Sequence, residues 1–322
     1  MAARRGGKRG RRALRESATP RLEAAALDTE QMVQQQPLAH APRLGKQVPP
    51  GPSRRAVEMG HTVARGGLNR KEREALAATT FNAGGAGSNT ETYPWYIDAL
   101  AALTVADAVF QASQLIAVGS GGRLIAAALC VVIYSDVMSG LLHIVLDNPE
   151  FLGSVIVEPY ARGFQEHHLD TTFVWRMPVG EQMRPAALPL VLQWVTGLLL
   201  FGRGHELFCH CYLALCVCLP GVQMTHRWAH MPRRRRGALI RALQSCHLLV
   251  SQEHHDAHHR PPYDRNFCIL TGWSNPCLNA LLCVVGPHSK AWGGVFLAGF
   301  VLLWPAVWLS ERLALFPDVS VF

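Results

Sequence analysis

His226 and His230, followed by His254, His255, His258 and His259, make the densest concentration of imidazole in the chain; His143 with Asp147 and the pair His167-His168 stand upstream. Side chains on a helix converge on one point when they recur at i, i+3 or i+4. His226-Arg-Trp-Ala-His230 has that spacing, His255-Asp-Ala-His258-His259 has it twice, and His254 repeats it with His258. His143-Ile-Val-Leu-Asp147 supplies it with one carboxylate, and His247 falls two turns before His254 on the same predicted face. Imidazole is the commonest protein ligand for metals. One zinc takes three or four ligands. The candidates His143, Asp147, His167, His168, His226, His230, His247, His254, His255, His258 and His259 are enough for two ions. Imidazole with little carboxylate and no clustered thiolate suits non-haem iron, and zinc less exclusively. Iron with open positions can activate O2, the chemistry that attacks an unactivated C–H bond.

Such a site needs elements that carry the histidines to one place. The groups sit at the ends of apolar runs, roughly 97–119, 123–146, 186–202 and 205–225. Each run approaches the ~20 residues that cross a membrane. A fifth run, 294–309, either spans or lies in the interface. Asp98, Asp107 and Asp136 fall inside the first two runs. Carboxylates at that depth are costly and are expected to face a bundle interior or a polar cavity. Tyr93-Pro94-Trp95-Tyr96, just before the first run, has the aromatics of a membrane interface.

Charge sets the orientation. Residues 1–89 hold 16 Lys+Arg against 7 Asp+Glu, a net of +9, and the remaining residues hold 15 against 16, a net of −1. The tail of residues 1–90 is rich in Arg, Gly, Pro and Gln and reads as disordered. It is expected on the cytoplasmic or stromal side of a membrane. An Arg-rich, acid-poor transit peptide is the alternative, and the lack of an apolar h-region argues against a secretory signal. No aromatic interleaving or folded binding motif points to nucleic acid. From that side, four crossings return every histidine group to the starting face, and Arg233-Arg234-Arg235-Arg236 then follows His230 as the positive-inside tendency requires. Arg227 and this arginine run are read as a solvated positive face, with lipid phosphate as the alternative partner. His205 and His210 fall on the opposite face, and His40, His61 and His288 have no partner at ligand spacing. Cys209, Cys211, Cys216 and Cys218 lie in an apolar run without a CxxC pair and read as small buried hydrophobes.

The expected fold is all-α: a polytopic membrane bundle of four to five helices under a histidine-rich cytoplasmic or stromal cap. The expected domains are a basic tail at 1–90, a membrane domain at 91–285 and a C-terminal apolar segment at 286–322. Ligands gathered at helix ends count against a metal transporter, whose sites lie at mid-membrane along a path.

Gly140-Leu-Leu-His143 with Asp147-Asn148, Phe164-Gln-Glu-His167-His168-Leu-Asp170, His226-Arg-Trp-Ala-His230, and the block from His247 through His254-His255-Asp-Ala-His258-His259-Arg-Pro-Pro-Tyr263 to Gly272-Trp273 resemble four successive boxes. They are similar to those of the lipid desaturase family that includes plasmanylethanolamine desaturase and the plastid desaturase of phosphatidylglycerol. The resemblance runs from Gly140 to about Asn279. Residues 171–185 depart from the pattern, and the tail and residues 285–322 have no counterpart. The resemblance implies a diiron centre ligated by these histidines, O2 as co-substrate, and cytochrome b5 or ferredoxin as electron donor. It also implies desaturation of an alkyl or acyl chain already attached to a phospholipid, in the endoplasmic reticulum or a plastid membrane. A diiron hydroxylase acting on lipid is the nearest alternative.

Overall fold

The computed structural model describes residues 94–117, 121–151, 154, 157–168 and 170–313; the basic tail expected at 1–90 lies outside them. Among the described residues all regular structure is helical. Helix α1 (Trp95–Ile116) begins directly after Pro94, whose φ of −59° suits a helix entry. It is followed by α2 (Gly121–Asp147), then α3 (Glu158–His167), α4 (Thr172–Arg176) and α5 (Val179–Met183). Helices α6 (Ala187–Phe201) and α7 (Glu206–His230) form the next antiparallel pair. After them come α8 (Ala238–Ser245), α9 (Gln252–Asp256), α10 (Asn275–Val285) and α11 (Ala291–Arg312).

Five helical stretches are long and apolar enough to cross a membrane: Trp95–Ile116, Gly122–Asp147, Val179–Phe201, Glu206–His230 and Ala291–Arg312. The third is longer than its apolar run, because α5 and a 3-10 turn at Arg184–Ala186 continue into α6. The fifth resolves the choice left by composition. Its start lies beside Phe151 and the Lys290–Glu150 ion pair on the histidine side. Its end, at Glu311, meets His205 at the far side. Helix α11 therefore runs the full depth of the bundle.

The core explains the packing. Phe208, Tyr212, Trp194 and Trp304 are buried together where α6, α7 and α11 meet. Gly197 makes this possible, since a Cβ there would fall 2.1 Å from the Phe208 ring. The polar edges of these large side chains are satisfied inside the bundle: the Tyr212 hydroxyl donates to Leu190 O (3.0 Å) and Trp304 Nε1 donates to Gln193 O (2.7 Å). The four cysteines of α7 pack as small hydrophobes, three of them buried, and all nine cysteines are free.

The carboxylates inside the apolar runs all have partners. Asp98 pairs with Arg184 (2.8 Å) and Asp107 with Arg203 (2.7 Å). Asp136, 1% exposed, accepts from the backbone N–H groups of Thr271, Gly272 and Ser274 at 2.8–2.9 Å. It thereby pins the turn before α10 to the middle of α2. At the far end Arg123–Glu206 (3.1 Å), Arg203–Asp107 and His205–Glu311 (3.2 Å) tie helix ends together.

Candidate metal centre

The last turns of α2 and α7, the end of α3 and the segment 255–259 come together at one end of the bundle, the end at which α1 begins. Two sets of ligand atoms result, each with all its members within 4.8 Å of one another. His143, Asp147, His168 and His258 make one; His167, His226, His230, His255 and His259 make the other. They are contiguous, with the His167 and His168 rings stacked at 4.5 Å and the His168 and His259 rings at 4.6 Å.

Helical spacing accounts for part of this. His226 and His230 converge with Nε2 atoms 3.1 Å apart, and His143 Nε2 lies 3.3 Å from Asp147 Oδ2. His255 and His259 also meet, at 3.1 Å, and His255 lies 2.9 Å from His230. The expected continuity of one helix from His247 to His259 does not hold. Helix α8 ends at Ser245, His247 turns the chain with a φ of 56°, and α9 ends at Asp256. His258 therefore swings into the first set, 3.0 Å from His168 and 3.1 Å from Asp147. His247 and His254 lie in neither set. His247 is exposed, and its carbonyl accepts from Trp273 Nε1 (2.6 Å). His254 Nε2 takes the side-chain amide of Asn275 (2.8 Å).

The outer nitrogens fix how the rings face. His143 Nδ1 donates to Phe267 O (3.0 Å), His258 Nδ1 to Arg265 O (2.9 Å), and His167 Nδ1 to Phe164 O. A hydrogen bond at one ring nitrogen sets the tautomer and turns the other inward as a lone pair. Segment 265–275 supplies two of these carbonyls, and Asn275 holds it by bonding both Cys268 N (2.8 Å) and Cys268 O (3.2 Å). Gly140 allows the segment its close approach, because a Cβ there would lie 2.6 Å from Cys268 Sγ.

The inward atoms fit a metal. His143 Nε2, His167 Nε2 and both oxygens of Asp147 are buried without a hydrogen bond, an arrangement that costs stability unless something is coordinated there. Burial holds the imidazoles of His167, His168, His255 and His259 well below their ordinary pKa, and the crowding of neighbouring imidazoles adds to the shift. They are neutral near pH 7, and a neutral imidazole keeps a lone pair on one ring nitrogen.

Beside the second set lies an apolar cavity of about 580 Å³. His167 and His226 line it together with Leu142, Leu146, Phe164, Val174, Leu188 and Phe296. Most of the ordered polypeptide around this cavity and centre falls in one stretch. Residues 132–283 match the lipid desaturase domain.

Among curated proteins, the chain is 31% identical to chloroplastic fatty acid desaturase 4 of Arabidopsis thaliana over 144 residues, 44% of each chain. It is 30% identical to plasmanylethanolamine desaturase of Myxococcus xanthus over 159 residues, 47% of this chain and 54% of that one. Plasmanylethanolamine desaturase 1 of Mus musculus is 28% identical over 44% of this chain and 55% of its own. The chain thus spans about half the length of the curated relatives it matches. No solved structure matches it.

Every histidine of both sets lies inside the lipid desaturase domain, whereas α1 and α11 lie outside it. Residues 171–185, which depart from the pattern of the resembling family, roof the cavity through Phe173, Val174, Met177 and Gln182. Arg227 holds this roof down, donating to Met177 O (2.5 Å) and Gln182 Oε1 (2.9 Å). Arg236 corrects the reading of the arginine run as a solvated face. It is 6% exposed and donates to Gln244 Oε1 (2.6 Å) and Gln252 Oε1 (2.7 Å), joining α8 to the helix that carries His255. Arg235 stacks on Trp175, 4.8 Å from the ring centre. Nothing in local spacing separates Arg236 from its three neighbours. Asn275 was equally hidden in the sequence, since it stands two residues beyond the last recognisable box.

Proposed function

We propose that this chain is a membrane lipid desaturase with two irons that introduces a double bond into an alkyl or acyl chain of a phospholipid. The observation that carries this reading is the apolar cavity whose lining includes His167 and His226 of the second ligand set. A hydrocarbon chain has no polar handle, so it is bound by shape in a dry cavity with the reacting carbons delivered to one polar end. His143, Asp147, His168 and His258 would hold one iron, and His167, His226, His230, His255 and His259 the other. Five donors exceed the four of a tetrahedral zinc site. When bound, the irons would supply the O2-derived oxidising power that breaks an unactivated C–H bond.

The chain's own residues do the rest. Hydrogen leaves two adjacent carbons, a carbon–carbon double bond forms, and O2 with two electrons and two protons becomes two waters. Phe164 and Val174 exclude water beside the reacting end, which suppresses side reactions. Phe267 O and Arg265 O keep the His143 and His258 rings aimed inward. His254 acts from outside through Asn275, and His247 serves the turn. Electrons come from cytochrome b5 or ferredoxin, and the membrane is that of the endoplasmic reticulum or a plastid. The catalytic unit is residues 91–285, with 1–90 as a basic tail and 286–322 as an added apolar segment.

Metal analysis of the purified chain is expected to give two irons per chain; one zinc and no iron would overturn the diiron assignment. Lipid analysis of a desaturase-null strain expressing the chain is expected to show products lighter by two hydrogens. Products heavier by one oxygen would mark a hydroxylase, and metal uptake into vesicles without lipid turnover would mark a transporter.

A further inference from the structure

The cavity beside His167 and His226 continues deeper. A second space of about 110 Å³ shares Leu142, Pro185, Pro189, Gln223 and Phe296 with it. This branch descends between α2, α6, α7 and α11, and Phe296 stands where the two spaces meet. Its floor is different in kind from the walls above. Gln193 is 2% exposed; its Nε2 donates to Phe300 O (3.0 Å), while its Oε1 faces the branch with no partner. Ser135 lines the same space and is buried, and the weak thiol of Cys218 is the one side chain that meets its hydroxyl. Beside them the Tyr134 hydroxyl donates to Gly299 O (3.3 Å).

Hydrocarbon cannot satisfy those atoms, and leaving them dry is costly. A buried water needs two to four polar partners and about 30 Å³, so a branch of about 110 Å³ accommodates a few. The far wall, Phe296 and Phe300, belongs to α11, which lies beyond the matched residues 132–283. The length limit is therefore set partly by residues outside the matched stretch.

We propose that the main cavity takes the hydrocarbon chain and that the wet floor at Gln193 and Ser135, gated by Phe296, sets the longest chain admitted. A methyl end that reaches the floor displaces water, strands Gln193 Oε1 and leaves Ser135 with only a thiol beside it. Shorter chains stop above it. This inference rests on the desaturase reading for its ligand, a lipid hydrocarbon chain.

The test uses the purified, metal-loaded full chain equilibrated with vesicles of saturated phosphatidylethanolamines and phosphatidylglycerols stepped by two carbons. Retained lipids and products are read separately by mass spectrometry. The unaltered chain is expected to show a sharp upper length limit. Phe296→Ala and Ser135→Ala are expected to move the limit to longer chains, by about fourfold in relative retention for each further methylene accommodated. Val301→Ala, on the exposed face of α11, is the control and should leave it in place. If Phe296→Ala misfolds, Ser135→Ala decides. Equal retention of all lengths by the unaltered chain overturns the proposal. So does a limit that stays fixed in a variant with native unfolding temperature and metal content. A length limit that moves as expected without any product would strike the desaturase reading and leave the length limit standing.

Discussion

Both ends of the bundle gather polar groups at helix termini, and they treat them in opposite ways. At the far end three ion pairs join helix ends: Arg123 with Glu206, Arg203 with Asp107, His205 with Glu311. At the histidine end, nine residues bring ligand atoms into two groups, and several of those atoms are buried with no hydrogen bond. The first arrangement is self-sufficient and fastens helices. In the second, His143 and His167 anchor Nδ1 on a backbone carbonyl and keep Nε2 without a hydrogen bond. Density of polar residues does not distinguish a latch from a site; the fate of the lone pairs does.

The comparison breaks most visibly if a single inward ligand is removed. His226→Ala or His258→Ala should abolish turnover and lower iron content while the chain still inserts in membranes. Full turnover in either variant, measured by product mass, would show that the ligand sets are wrong. An intermediate effect is expected one bond further out. Asn275→Ala frees His254 and loosens the segment carrying Arg265 O and Phe267 O, and loss of such support typically costs about 10–100-fold in metal affinity. Iron titration of the variant measures this, and unchanged affinity would separate Asn275 from the centre.

Acid sharpens the contrast further. In the metal-stripped chain, burial keeps His167, His168, His255 and His259 neutral in the folded state, whereas the unfolded chain protonates them near pH ~6.5. The unfolded state binds more protons below that point, so the stability is full above it and is lost as pH falls toward the lowered folded values. The unfolding temperature of the stripped chain should drop between about pH 7 and about pH 5; a flat profile would contradict the neutral cluster. The smallest effect belongs to the far end. Arg203, 74% exposed, should cost no more than ~1 kcal/mol when replaced by Ala. Denaturant unfolding reads it, and a loss comparable to that of Gly140→Ala would make the far end more than a latch.

The sequence foretold most of the frame, because hydropathy, charge and imidazole spacing are local properties. Four apolar runs, the face on which the histidines meet and the pairs His226/His230 and His143/Asp147 follow from residues within one helix. The divergence of His258 from His255 does not, since it depends on α9 ending at Asp256. Helix α11 was ambiguous for a related reason: its span is decided by what its two ends touch, Phe151 and His205, both distant in sequence. Arg236 and Asn275 were hidden because side chains of ordinary type took buried roles only through tertiary contacts. The departure at 171–185 was visible as an absence of pattern, and its role as a cavity roof needed the fold.

The carbonyls of Arg265 and Phe267 have a further consequence, one of timing. His143 emerges from the ribosome more than a hundred residues before the carbonyl that orients it. The first four spanning segments can be inserted while the first ligand set still lacks both His258 and its backbone anchors. Any metal held by the first set would therefore bind only after the docking of the turn that Gly140 admits and Asp136 pins. A chain released before that turn would reach the membrane as an inserted precursor with an unfinished centre.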